Sequence, residues 1–156
     1  MFDHILVTTD GSALSTLALP VAADLARTYD SRLTLLYIVP RFLLPTDGVA
    51  YTYNSPAEHA QLIAEGQRIL VDAQQILDYP RAEVSRVQCG DLKTEQVIAR
   101  EVQRSGAKLV VMSTHGRSGL AHLFLGSVAE AVLRLVHVPV LLVQQPSVAA
   151  DAAQTP

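Results

Sequence analysis

Two stretches hold the residues best suited to chemistry, TTDGS at 8–12 and STHGRSGLAHLFLGS at 113–127. The first offers one carboxylate, Asp10, followed by a glycine. The second offers Gly116 and Gly126, and Gly126 is followed by the hydroxyl of Ser127 where an apolar segment, VAEAVLRLV, begins. Backbone N–H groups at a helix start, together with the helix dipole, attract anions without needing a cationic side chain. Gly126 would let the backbone approach an oxygen closely, and Gly116 can take a positive φ in the turn. A phosphate suits this arrangement. The dipole contributes only ~0.3–1 kcal/mol, up to about 2 when partly buried, whereas micromolar binding needs ~8 kcal/mol. Several N–H contacts, the Ser127 hydroxyl and burial of a base would have to act together. A loop glycine followed by an ordinary helix cap accounts for the same spacing equally well.

Other residues in these stretches are open to two readings. His115 could reach a phosphate or act as a base near neutral pH, but a lone loop histidine is more often a turn-stabilising or solvent-facing group. Arg117 could clamp a phosphate or be a solvated charge. His122 has no second ligand at helical spacing, which favours packing over metal binding. His4, His59 and His137 read as structural or exposed. Ser12 and Ser127 have no histidine partner in a nucleophile-elbow context, so Ser-His-Asp hydrolysis is unsupported and no catalytic residue is assigned. Neither G-x-x-x-x-G-K-[ST] nor G-x-G-x-x-G occurs, and the two lysines, Lys93 and Lys108, fall outside the candidate loop.

The elements that must position these groups alternate along the chain. HILVTT (4–9), RLTLLYIV (32–39), AEVSRVQ (82–88), AKLVVMS (107–113) and PVLLVQ (139–144) are short and aliphatic, and read as strands. Between them, 12–29, about 56–78, 92–106 and 127–137 carry helical spacing. Ser12 is placed as an N-cap and Gly106 as a C-cap, and Pro20 should kink or break the first helix. Five strands alternating with four helices imply a parallel α/β sheet with right-handed crossovers and helices on both faces. The first, second and fourth strands are apolar enough to be central. The third, with Glu83, Ser85 and Arg86, suits an edge. In a doubly wound sheet the loops after the first and fourth strands meet at a crevice. Segment 40–56, PRFLLPTDGVAYTYNSP, stands apart as a lid, an interaction surface or a packed irregular loop.

The chain's 156 residues suit one domain over 1–145, with 146–156 as a flexible tail. A net charge of −3 gives no basic footprint, which argues against nucleic acid. The N-terminus lacks signal-peptide features and no apolar run approaches the ~18 residues of a membrane span, so a cytoplasmic protein is expected. The single cysteine, Cys89, permits neither an internal disulfide nor a cysteine metal cluster, and reads as a small hydrophobe at a strand end.

Strand-TDGS, a long helix, a strand ending LYIVP, and then VVMSTHGRSGLAHLFLGSVAEAVLRLVHVPVLLV together resemble the universal stress protein family over roughly residues 2–144. The resemblance implies an open twisted five-stranded parallel sheet, Rossmann-like in nucleotide binding, and a homodimer formed through strand 139–144. One branch of the family binds ATP through G-x2-G-x9-G-[ST]. Gly116, Gly126 and Ser127 match it, whereas Ser113 replaces the first glycine, where the family's backbone lies against the ribose. The resemblance further implies that Asp10 contacts ribose and adenine, that the Ile38 backbone receives the base, and that Gly116, Gly126, Ser127 and the Val128 N–H hold phosphates. Asp10 would also be placed to hold the nucleotide's Mg²⁺ through bound water. Thr8 stands where ATP-binding relatives often carry proline. The implied function is an adenine-nucleotide-binding stress-response dimer that regulates a protein partner, rather than an enzyme. The alternatives are an interaction dimer without nucleotide and, behind it, a slow ATPase or phosphotransferase.

Overall fold

The structure, a computed structural model, describes residues 1–39, 44–46, 49–51, 56–88, 92–114 and 125–144. In chain order the elements are β1 (His4–Thr9), α1 (Ala13–Thr16), α2 (Ala18–Tyr29), β2 (Arg32–Val39), β3 (Leu44–Thr46), β4 (Val49–Tyr51), α3 (Pro56–Leu77), β5 (Ala82–Gln88), α4 (Thr94–Ser105), β6 (Leu109–Ser113), α5 (Ser127–Leu135) and β7 (Val140–Val143). The five long strands form one sheet, ordered β5-β2-β1-β6-β7, with every pairing parallel. β1 lies between β2 and β6, and the strand order reverses there. β1, β2 and β6 are almost wholly buried, as their unbroken aliphatic runs require. β5 is an edge strand, and Glu83 and Arg86 on it are exposed.

Two apolar layers sandwich the sheet. Ile5, Val7, Leu33, Leu35 and Tyr37 pack against Leu19, Ala22, Ala23 and Ala26 of α2 and Leu70, Ala73 and Leu77 of α3. The opposite faces of the same strands, Leu6, Leu36, Val110 and Met112, pack against Ile98 and Val102 of α4 and Ala129 and Val132 of α5. This is the two-residue strand period meeting the helical one. Close approach on the first face depends on Gly66, where a Cβ would lie 2.6 Å from Cε1 of Tyr37.

Local signals set most helix ends. The Ser12 side chain accepts from the Ser15 N–H and caps α1, and Gly106 closes α4 at φ +71°. Segment 12–29 is two helices, and the break falls at Leu17 rather than at Pro20. Pro20 then occupies the first turn of α2, where a missing N–H and a fixed φ do no harm. Segment 40–56 contains a feature that periodicity did not reveal. β3 and β4 pair antiparallel, with Thr46 opposite Val49. The intervening Asp47-Gly48 is a strong hairpin signal in the sequence.

At the amino ends of the strands a buried histidine ties three elements together. His4 Nδ1 lies 2.9 Å from the Ser105 carbonyl and Nε2 lies 2.8 Å from Thr34 Oγ1. A carbonyl only accepts, so Nδ1 carries the proton and Nε2 accepts from the threonine. Burial holds the His4 pKa below its ordinary 6.5, keeping the ring neutral. Glu101 is buried, accepts from Ser85 and Arg104, and is kept below its usual 4.5 chiefly by the arginine. Among the described residues no helix is long and apolar enough to cross a membrane.

Candidate functional site

A cavity of about 370 Å³ opens at the carboxyl ends of β1, β2 and β6, where the strand order reverses. That volume lies within the range of roughly 300–1,000 Å³ usual for small-ligand sites. The position is the one expected for ligands in open α/β sheets. Its apolar wall is the outer end of the α4/α5 core layer: Leu36, Ile98, Met112 and Ala129 belong to both. Its polar wall comes from β1, α1, α4, β6 and α5, with Thr8, Thr9, Asp10, Ser15, Thr94, Ser113, Thr114 and Ser127.

Each contributor has a local cause. β1 ends in Thr9, after which Gly11 turns the chain at φ +79°. A Cβ on Gly11 would lie 2.7 Å from Cδ1 of Ile69 on α3, so a larger residue would have to displace that side chain as well as adopt an unfavourable φ. Asp10 Oδ1 accepts from the Ser12 N–H at 2.9 Å, which folds the loop back toward α1. β6 delivers Ser113, in register with Val143 of β7.

Thr114 follows, and its N–H donates to the Val143 carbonyl at 3.1 Å while its own carbonyl accepts from the Gly126 N–H at 2.9 Å. Gly126 is thus drawn to the end of β6 and α5 starts at the cavity. The Gly126 amide is committed to this bond, so the donors that α5 directs outward belong to Ser127, Val128 and Ala129. Gly126 has φ −58° and ψ 144°, a conformation open to any residue. Backbone conformation therefore does not require glycine there.

Seven of the residues singled out in the sequence, Thr8, Asp10, Ile38, Ser113, Gly126, Ser127 and Val128, line this one cavity. His115, Gly116 and Arg117 lie outside the described residues, as do Cys89, His122 and the side chain of His59. His4 is buried and structural, and His137 is exposed. Thr94 and Ile98 at the start of α4, together with Met112 and Leu36, also line the cavity but were not evident beforehand. Their types are those of ordinary core and helix-start residues, and only the crossover to α4 brings them to the mouth.

Asp10 is the one charged side chain among the described lining residues, so what those residues offer an anion is backbone N–H groups and hydroxyls. Among the described residues no group of three His, Cys, Asp or Glu side chains could hold a metal ion.

Residues 1–144 match the universal stress protein family. The chain belongs to that family. The universal stress protein MJ0531 of Methanocaldococcus jannaschii is 33% identical over 94% of this chain and 84% of its own. A universal stress protein from Archaeoglobus fulgidus, solved in complex with dAMP, is similar in fold with a TM-score of 0.63. It is 19% identical, and the match covers 91% of this chain and 97% of the other. A further universal stress protein, solved in complex with cAMP, gives a TM-score of 0.65 at 23% identity, covering 92% and 97%. The parallel five-stranded α/β sheet is the arrangement that the family resemblance implied.

Proposed function

We propose that this universal stress protein is an adenine-nucleotide-binding module that takes ATP in the cavity between β1, β2 and β6. It acts in the cytoplasm as a homodimer whose surface for a protein partner responds to nucleotide. The observation that carries the reading is the convergence of Asp10, Ile38, Ser113 and the α5 N-terminus on one cavity with an apolar wall. Leu36, Ile98 and Met112 suit an aromatic base, the Asp10 carboxylate suits hydroxyl donors, and the N–H groups of Ser127, Val128 and Ala129 suit phosphate. Gly116, His115 and Arg117 of the loop belong to the same proposal as further phosphate contacts. Mg²⁺ would arrive with the nucleotide, and Asp10 would hold it through bound water. Relatives solved with dAMP and cAMP support the adenine class.

The dimer reading rests on β7. It is an edge strand without charged residues, and Leu141 on it and Leu133 and Leu135 on α5 are exposed. The opposite edge strand carries exposed charges. Pairing through 139–144 would cover the uncharged edge. Binding rather than phosphoryl transfer is the proposed activity, because neither lysine of the chain, Lys93 or Lys108, falls in the candidate loop.

The test uses the purified full chain. Its denatured supernatant should contain adenine nucleotide by absorbance and mass spectrometry, and added ATP should raise the melting temperature, because a ligand bound only to the native state stabilises it. Protein that is empty and unmoved by ATP would instead be an interaction dimer without nucleotide, a reading favoured by the Ser113 side chain at the cavity wall. Turnover well above background and lost in Asp10→Ala would make the protein an enzyme.

A further inference from the structure

We propose that Ser15 is the positioning residue for Asp10, and that it sets how strongly the site distinguishes a ribose with its 2′ and 3′ hydroxyls from one without them. The inference rests on the nucleotide reading above and adds to it a residue and a selectivity.

Ser15 lies on the four-residue α1, buried, and nothing in the sequence marks it out from other helix serines. A hydroxyl has one hydrogen to donate and two lone pairs to receive. Ser15 Oγ donates to the Ser12 carbonyl at 2.9 Å, which uses its hydrogen. Its two other contacts, the Asp10 N–H at 3.3 Å and Thr9 Oγ1 at 3.0 Å, must therefore be received. Thr9 is then the donor of that pair, and its own oxygen takes the Gly11 N–H at 3.2 Å. The direction of every bond follows. Gly11 donates to Thr9, Thr9 to Ser15 and Ser15 to Ser12, with the Asp10 amide as a second input to Ser15.

Two consequences decide the role. Ser15 also lines the cavity, but its hydroxyl is filled to capacity, so it can neither hydrogen-bond a ligand nor serve as a nucleophile without breaking the network. Through that network it holds both flanks of Asp10. The Asp10 amide bonds to Ser15 directly, and the Asp10 carboxylate accepts from Ser12, whose side chain accepts the Ser15 N–H at 3.1 Å. A carboxylate offers about four acceptor positions, and Asp10 lines the cavity where a ligand would sit. An ionised carboxylate accepts only, and it repels phosphate. The groups of a nucleotide that match it are the ribose hydroxyls and the amine of the base. A loop fixed by Ser15 aims this acceptor, and a loosened loop lets it stray.

The test compares affinities for ATP and 2′,3′-dideoxy-ATP by calorimetry in wild type, Ser15→Ala, Asp10→Ala and the double variant. Wild type should prefer ATP, and Ser15→Ala should weaken ATP by about tenfold, the scale of one hydrogen bond to a charged group. The dideoxy nucleotide should stay within about twofold of wild type, and Ser15→Ala should add nothing once Asp10 is gone, as expected for residues acting through one contact. Thr9→Val breaks the same network from β1 and should lower the ATP preference in the same way, so it decides the matter if Ser15→Ala does not fold. An ATP preference unchanged in the folded variants, or equal weakening of both nucleotides, overturns the inference. A wild type that binds neither nucleotide overturns the nucleotide reading itself, and the inference with it.

Discussion

The two ends of the sheet are built from the same parts, but the helix ends at the base are treated differently from the start of α5 at the mouth. In each strand-helix-strand unit the helix runs back along the sheet, so helix N-termini gather at the carboxyl ends of the strands and helix C-termini at the amino ends. One end therefore collects orphan N–H groups and the other orphan carbonyls. At the amino end the protein supplies its own donors. His4 caps the Ser105 carbonyl of α4, the Tyr79 hydroxyl reaches Ala26 of α2 and Ser31, and Arg27 reaches the Asp78 carbonyl just after α3 at 2.7 Å. At the carboxyl end α5 begins at a glycine with no capping side chain, facing a cavity. The lesson is one of division of labour. A closed base fixes the fold, and at the mouth the start of α5 is left without a capping side chain.

That contrast can be broken from either side. The largest effect is expected from His4→Leu, which strands the buried Thr34 hydroxyl and the Ser105 carbonyl. Loss of about 2–4 kcal/mol in denaturant unfolding is expected, with nucleotide affinity unchanged in the folded fraction. Gly126→Val is the mirror experiment. Its backbone angles admit valine, so stability should stay within about 1 kcal/mol. Its branched side chain at the start of α5 should weaken ATP by more than about tenfold in calorimetry.

A third, smaller effect is a pH dependence confined to the base. Burial lowers the His4 pKa below 6.5, so the unfolded chain takes up a proton that the folded chain refuses. Stability is then full above pH 6.5 and declines as pH falls below it, and denaturant midpoints for His4→Leu should lose that decline. Glu101, held low mainly by Arg104, adds a second decline only below 4.5. The smallest expected effect is at the mouth. Ser113→Gly widens the cavity wall, and a few-fold gain in ATP affinity is expected, accompanied by a loss of about 0.5–1 kcal/mol for a glycine in a strand.

What the sequence disclosed follows the same division. Caps are local, so Ser12 and Gly106 announced themselves. The strands were legible because each is a short aliphatic run, and β5 revealed its place at the edge through Glu83 and Arg86. The helix break was displaced from Pro20 to Leu17 because proline marks where an amide is unneeded, which is a first turn as readily as a kink. The β3–β4 hairpin hid behind irregular composition, although Asp47-Gly48 marked it. The polar side of the cavity was visible as two motifs. Its far wall was not, since Thr94 and Ile98 become lining residues only through the order in which strands pair. Ser15 was invisible for another reason: its role lies in the direction of its hydrogen bonds, which residue type does not record.

Thr114 gives this architecture a mechanical property. This one residue grips β7 through its N–H on one side and α5 through its carbonyl on the other. A shift of the first turn of α5 beyond the slack of a hydrogen bond must either snap one of these grips or drag the outermost strand along. The wall of the cavity and the rim of the sheet are therefore geared to one another through one residue.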